Sequence, residues 1–196
     1  MSRKGMDHIG VLVISAAAIY AALALMMGVI PGTVLSKSPP VPGAVPLDDA
    51  QARGRAVYVG EGCSYCHTQF VRPLAQDRVW GRASVAGDYA YDTPQLLGTE
   101  RTGPDLSNIG QRQPSDVWHA IHLYEPRSVV TGSIMPAYPW LFVLKDKADP
   151  GDVVVNVPPP YAPPDKVVVA TPAEQDLVAY LVSLKQLPLP SPPPPP

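Results

Sequence analysis

Cys63-Ser64-Tyr65-Cys66-His67 sets the reading of the whole chain. C-x-x-C-H is the attachment pattern of a c-type haem. Two thiols three residues apart on a tight helical turn reach the two vinyl groups along one porphyrin edge. The residue that follows then points an imidazole nitrogen at the iron. Both cysteines of the chain lie here. A structural disulfide would leave the adjacent His67 without a role. A zinc half-site would need a second pair of thiols to complete tetrahedral ligation, and the sequence holds none. A thioredoxin-like redox pair would need a βαβ setting, which is absent.

Ahead of the motif the pattern is that of a membrane span. Ile9 to Ile30 runs 22 residues without a charge. At about 1.5 Å per residue a helix there is about 33 Å long, enough for a hydrocarbon core of about 30 Å. The run is longer than a signal-peptide h-region of about 7–15 residues and no A-x-A-like site follows it, so an uncleaved anchor is expected over residues 1–30. Arg3 and Lys4 precede the span, and few charges follow it before Asp48. The positive-inside rule therefore puts the N-terminus in the cytoplasm and the remainder outside. That is the periplasmic side of a bacterial inner membrane, where c-type haem is attached. Ala17, Ala21, Ala24 and Gly28 make one side of the span small, which lets another helix approach closely in lipid.

Of the 26 prolines, 18 cluster at 31–46, 158–172 and 188–196, outside the haem motif, and mark linkers rather than core. Residues 31–47 read as a semi-rigid stalk in polyproline geometry, and 188–196 as an extended tail. From residue 31 onward the chain carries 13 Lys and Arg against 16 Asp and Glu. That balance gives no basis for binding nucleic acid.

Asp48 to Val59 reads as a helix capped by Asp48 or Asp49, with Gly54 in its middle and Tyr58 four residues further on the same face. Thr171-Pro172-Ala173-Glu174 is a capping box with proline at the first helical position, followed by an apolar stripe of Leu177, Val178, Tyr180, Leu181 and Leu184. Between them, Thr102 to Arg112 is a loop, and Ser115 caps a helix over Asp116–Tyr124. His119 and His122 lie one turn apart on that helix. They are expected to be surface or interface imidazoles rather than a metal site, because no matching carboxylate or thiol completes one. Met135 is the only methionine after the span, in the loop Ser133-Ile134-Met135-Pro136. A haem domain that still needs a sixth ligand makes this soft thioether the leading candidate. Val153-Val154-Val155 and Val167-Val168-Val169 flank a proline-rich segment and read as a small β-hairpin.

The order helix, CxxCH, G-P-x-L loop, M-P loop and C-terminal helix resembles the class I cytochromes c. In more detail, Arg101-Thr102-Gly103-Pro104-Asp105-Leu106 and Ser133-Ile134-Met135-Pro136-Ala137-Tyr138-Pro139-Trp140-Leu141 are similar to the mono-haem subunit of cbb3-type cytochrome c oxidases. So are Trp118-His119 with His122-Leu123-Tyr124, and Pro126-Arg127. The fold implied is mostly α: a single transmembrane helix, then a cytochrome c-like helical domain at 48–187 with a Val/Pro-rich insertion at 145–170. The resemblance implies one covalent haem c, bound by Cys63, Cys66, His67, Pro104, Leu106, Arg112 and Met135. His67 and Met135 would be its iron ligands. The Pro104 carbonyl would orient His67, Leu106 would pack on the haem face, and Gly54 with Tyr58 would cross Leu177 with Tyr180. The function implied is single-electron relay to a haem–copper catalytic subunit that reduces oxygen, the chain not being catalytic by itself. Electrons would come from a second c-type cytochrome subunit or a soluble cytochrome c. The alternatives are the cytochrome c subunit of a nitric oxide reductase and a free-standing membrane cytochrome.

Overall fold

The computed structural model describes residues 3–189, with side chains from His8 onward. The charges of Arg3 and Lys4 and most of the tail expected at 188–196 therefore lie outside the described residues. The N-terminal helix comprises α1 (Arg3–Ala24), a π-helical turn (Leu25–Val29) and α2 (Ile30–Leu35). From His8 to Leu35 it is 28 residues long, its most apolar 18-residue stretch has mean hydropathy 2.4 with no buried residue, and it is long and apolar enough to cross a membrane. The helix runs past Pro31, where the stalk was expected to begin. Pro31 follows the π-helical turn without ending the helix, its missing N–H leaving one bond of the ladder unmade. The following segment is not free of the domain either: Val41 is buried and its N–H donates to the Gly87 carbonyl at 3.1 Å.

The domain is built on the crossing of α3 (Asp49–Gly60) with α6 (Pro172–Ser183). Asp48 caps α3 by accepting from the Gln51 N–H at 2.8 Å, and the Gln51 side chain accepts from the Asp48 N–H in return. At the crossing, a Cβ on Gly54 would stand 1.8 Å from the Asp176 carbonyl oxygen and 2.8 Å from Tyr180 Cβ. Only hydrogen fits there, and the two backbones meet because of it. One turn later the Tyr58 and Tyr180 rings lie edge to face, centroids 5.5 Å apart, both fully buried. Leu177 is buried beside them, a burial that contributes about 1.5–3 kcal/mol for a side chain of this size. The short α4 (Ile109–Arg112) and α5 (Asp116–Tyr124), the latter capped by Ser115 through the Trp118 N–H, complete the helical layer against α6.

The hairpin forms, but as part of a three-stranded antiparallel sheet of order β1-β3-β2: β1 Phe142–Lys145, β2 Val154–Val155, β3 Val167–Ala170. Strand β1 was not expected. Its presence follows from the burial of Val168, Val169 and Ala170, whose polar backbone needs partners on both edges. Val154 supplies one edge opposite Val169, and Phe142 to Lys145 supply the other, Phe142 opposite Ala170.

That strand also alters the start of α6. Thr171 Oγ accepts the Glu174 N–H at 3.3 Å, half of the expected capping box. The other half is missing because the Thr171 N–H donates to the Leu141 carbonyl at the end of the loop before β1, at 3.1 Å. The Glu174 carboxyl consequently has no cap to complete and is buried.

Gly54→Ala is expected to destabilise the domain by about 1–3 kcal/mol or more, since backbone must move to admit the methyl group. Gly60→Ala, on the same helix with nothing within 4 Å of a new Cβ, is expected to be neutral or to stabilise by up to about 1 kcal/mol. Thermal melts of the two variants check this pair; equal melting temperatures would remove the crossing from its place in the fold.

Candidate haem-binding cleft

Helix α3 ends at Gly60, and the chain turns through a tight 3-10 segment, Cys63–Tyr65. The N–H groups of Cys66 and His67 both donate to the Cys63 carbonyl, at 3.2 and 3.0 Å. This single turn places Cys63, Cys66 and His67 together. Both cysteines are free thiols. Burial, helped by Glu61, pushes the Cys63 thiol up to about 12, so it stands protonated at neutral pH.

His67 is fixed by contacts far along the chain. Its Nδ1 lies 2.7 Å from the Pro104 carbonyl oxygen. A carbonyl only accepts, so Nδ1 carries the proton and Nε2 is left with a free lone pair. Burial lowers the His67 pKa, against the opposing pull of the Pro104 bond and Asp105, which keeps the imidazole in its neutral, ligating form. Gly103 makes room for the ring: a Cβ there would stand 2.3 Å from His67 Cε1.

The two segments are stapled together on either side of that bond. The Gly103 N–H donates to Cys66 O at 2.9 Å and the Leu106 N–H to Thr68 O at 2.8 Å. Asp105, fully buried, accepts from Thr68 Oγ1 (2.6 Å), the Phe70 N–H (2.9 Å) and the Ser107 N–H (2.8 Å). Arg101 donates to Thr68 Oγ1 (2.7 Å), the Phe70 carbonyl (2.6 Å) and Asp77 Oδ1 (2.6 Å). Asp77, also fully buried, takes a second guanidinium from Arg72 at 3.0 Å. Arg101 and Asp105 belong to the R-T-G-P-D-L stretch, which reads in sequence only as a signature. Their task is to hold the loop that holds His67. Asp77 and Thr68 carry no sequence signal of their own.

These elements enclose a cleft of about 360 Å³. Cys63, Cys66, His67, Pro104, Leu106 and Met135 all line it, with Tyr58, Trp118, Leu123, Tyr138, Leu177 and Leu181 among the remaining walls. No Asp, Glu, Lys or Arg is among the lining residues. Arg112, expected with the others, is not brought to the cleft. Its guanidinium donates to the Asp105 carbonyl and lies over the Trp80 ring, 4.9 Å from the centroid. It braces the same loop from behind.

His119 and His122 are not surface groups. His119 is buried, with Nε2 2.9 Å from the Gln113 carbonyl. His122 stacks on Trp118, centroids 4.6 Å apart and planes 11° from parallel. Both line the cleft, and burial, with His119 and His67 adding, holds His122 down at about 4 and therefore neutral. An apolar helix face turned inward carries them there. The donor set fits a haem: two thiols on one turn, a neutral imidazole with its lone pair free, and one thioether in an uncharged, largely apolar cleft.

The chain matches a family model described as cytochrome C oxidase, mono-heme subunit/FixO, over residues 4–157. The chain belongs to this family. It is accordingly a mono-haem subunit of the cbb3-type oxidases, with one haem and the catalytic subunit of that complex as its partner. This decides against the nitric oxide reductase alternative. A search of curated proteins returns no match. The match ends at Val157, ahead of β3 and α6, yet α6 packs along α3 and contributes Leu177 and Leu181 to the cleft.

Arg101 first, then Arg72, hold the Asp77 carboxyl well below the usual carboxylate range. Unfolded aspartates titrate near about 3.9, so the stability this gives is fully present above that pH and is lost as pH falls towards the folded value. Asp77→Asn is expected to lower the urea midpoint at pH 7, and to lose less further stability than the wild type between about pH 4 and 2. Identical acid limbs in the two proteins would show that another group is responsible.

Proposed function

We propose that this subunit is a membrane-anchored one-electron relay, with its haem held covalently by Cys63 and Cys66 and ligated by His67 and Met135. The observation that carries this reading is the convergence of those four residues on one uncharged cleft. The haem, when bound, supplies the one-electron couple. The chain supplies everything that fixes it. Cys63 and Cys66 anchor one porphyrin edge through thioether bonds. Pro104 holds the His67 ring so that Nε2 is the ligating atom. Met135, in a loop stiffened by Pro136, would supply the second ligand.

With His67 and Met135 as its two protein ligands, the haem would present no site to oxygen, and the chemistry would pass to the partner. Methionine–histidine ligation also favours a raised potential. Apolar walls exclude water and keep the cost of reorganisation low. Electrons enter from a second c-type cytochrome subunit or a soluble cytochrome c, and leave to the haem–copper catalytic subunit, where oxygen is reduced. The helix through Leu35 is the anchor, with the N-terminus in the cytoplasm and the haem domain in the periplasm of a bacterial inner membrane.

Met135→His is expected to leave a six-coordinate haem of lower potential, because imidazole favours the ferric state more than a thioether does. Met135→Ala is expected to open the iron to carbon monoxide, whereas His119→Ala and His122→Ala are not. The ferric spectrum checks the ligand: the weak long-wavelength band of sulfur ligation disappears in Met135→Ala only. Its survival there would assign the sixth position to another residue.

Topology has its own test. A reporter fused after Pro46 is expected to be active only if it requires the periplasm; activity of a cytoplasm-only reporter at that point would reverse the orientation.

A further inference from the structure

Glu174 is buried to 2 % exposure in the first turn of α6, and its Oε1 is buried without a hydrogen-bond partner. An ionised carboxylate in that position would have little solvent and no counter-charge, which is costly unless the group takes a proton. No cation acts on it, and those of the elements packed near α6 are engaged elsewhere. From α5, the charged residue that faces it is Asp116, of the same sign. Arg53 of α3 is engaged by Asp176, Arg112 of α4 by the Asp105 carbonyl, and His119 of α5 by the Gln113 carbonyl. On the sheet side, Lys145 is held by Asp149 and Asp152, and Lys166 by Asp146. Burial first, and Asp116 second, push the carboxyl up to about 7.

Two further features bear on function. Leu177, three residues on and therefore next to Glu174 on the same helix face, lines the cleft. Pro172 and Ala173, immediately before it, are exposed, so the carboxyl lies one layer from solvent.

We propose that Glu174 is a proton-binding site coupled to the electron held in the cleft. When the iron goes from ferric to ferrous by accepting one electron from the donor cytochrome, the Glu174 carboxylate takes one proton from solvent. When that electron leaves, the carboxyl returns the proton. The coupling is electrostatic: an added negative charge in the cleft raises the proton affinity of a buried carboxylate one helical turn from the cleft wall at Leu177, and by linkage the proton raises the potential. This rests on the one-haem reading above.

The test is the midpoint potential of the haem-loaded full chain in detergent, from pH 5 to 9. The potential is expected to be highest at low pH, to fall through neutrality and to level off again. Its total drop should correspond to at least a threefold change in proton affinity, a tenfold change being about 59 mV for one electron. Glu174→Gln, which mimics the protonated side chain, is expected to be flat across the neutral range at the low-pH value. Glu174→Asp is expected to keep a slope. A Glu174→Gln protein that kept the wild-type slope would overturn the proposal. If that variant failed to fold, the wild type still decides: its reduced-minus-oxidised infrared difference at pH 7 should gain a protonated-carboxyl C=O band. Absence of that band would equally overturn the proposal. A chain that bound no haem would give no potential at all, a failure of the cleft reading rather than of Glu174.

Discussion

The contact on which the site depends is the 2.7 Å bond between His67 Nδ1 and the Pro104 carbonyl. It joins segments 37 residues apart and settles three things together: the tautomer, the ring orientation and the nitrogen left free. A bond of this kind is worth about 0.5–1.5 kcal/mol net, too little to order two loops unaided. The structure therefore surrounds it with a backbone ladder through Gly103 and Leu106 and with two buried carboxylates, Asp77 clasped by Arg72 and Arg101 and Asp105 held by Thr68 and two backbone N–H groups. The charges are used behind the site, where hydrogen bonds satisfy them fully. The cleft itself is left neutral. Separating the two keeps the interior apolar while the loop that defines it stays rigid.

The same logic explains why α6 matters to a motif more than a hundred residues away in sequence. Gly54 brings α3 against α6 at backbone distance, and α3 delivers the chain to Cys63 only five residues beyond Tyr58, which packs on Tyr180. Leu177 and Leu181 then form cleft wall on the face that continues the crossing. The position of the cysteines is thus tied to the C-terminal helix through two rigid elements.

What could be read in the sequence was local or periodic. Cys63 to His67 is a motif within one turn, Asp48 caps within three residues, and the stripe from Leu177 to Leu184 repeats at helical spacing. Met135 was legible because the chain offers no second thioether outside the span and the initiator region. What could not be read depends on where distant segments meet. Glu174 lost half of its cap because Leu141 reached Thr171 first. Phe142 to Lys145 became a strand because Val168 and its neighbours, once buried, needed a second edge. Arg112 went to Trp80 and the Asp105 carbonyl, and His119 to Gln113, through choices of direction that residue spacing does not encode.

The central claim is that one haem is held covalently by the turn that Pro104 and its staples keep in place. The most direct measurement is the intact mass of the purified chain under denaturing conditions after acid–acetone extraction. The account predicts the polypeptide plus a single haem that stays with the protein. A bare polypeptide mass, with the haem recovered in the solvent, would contradict it.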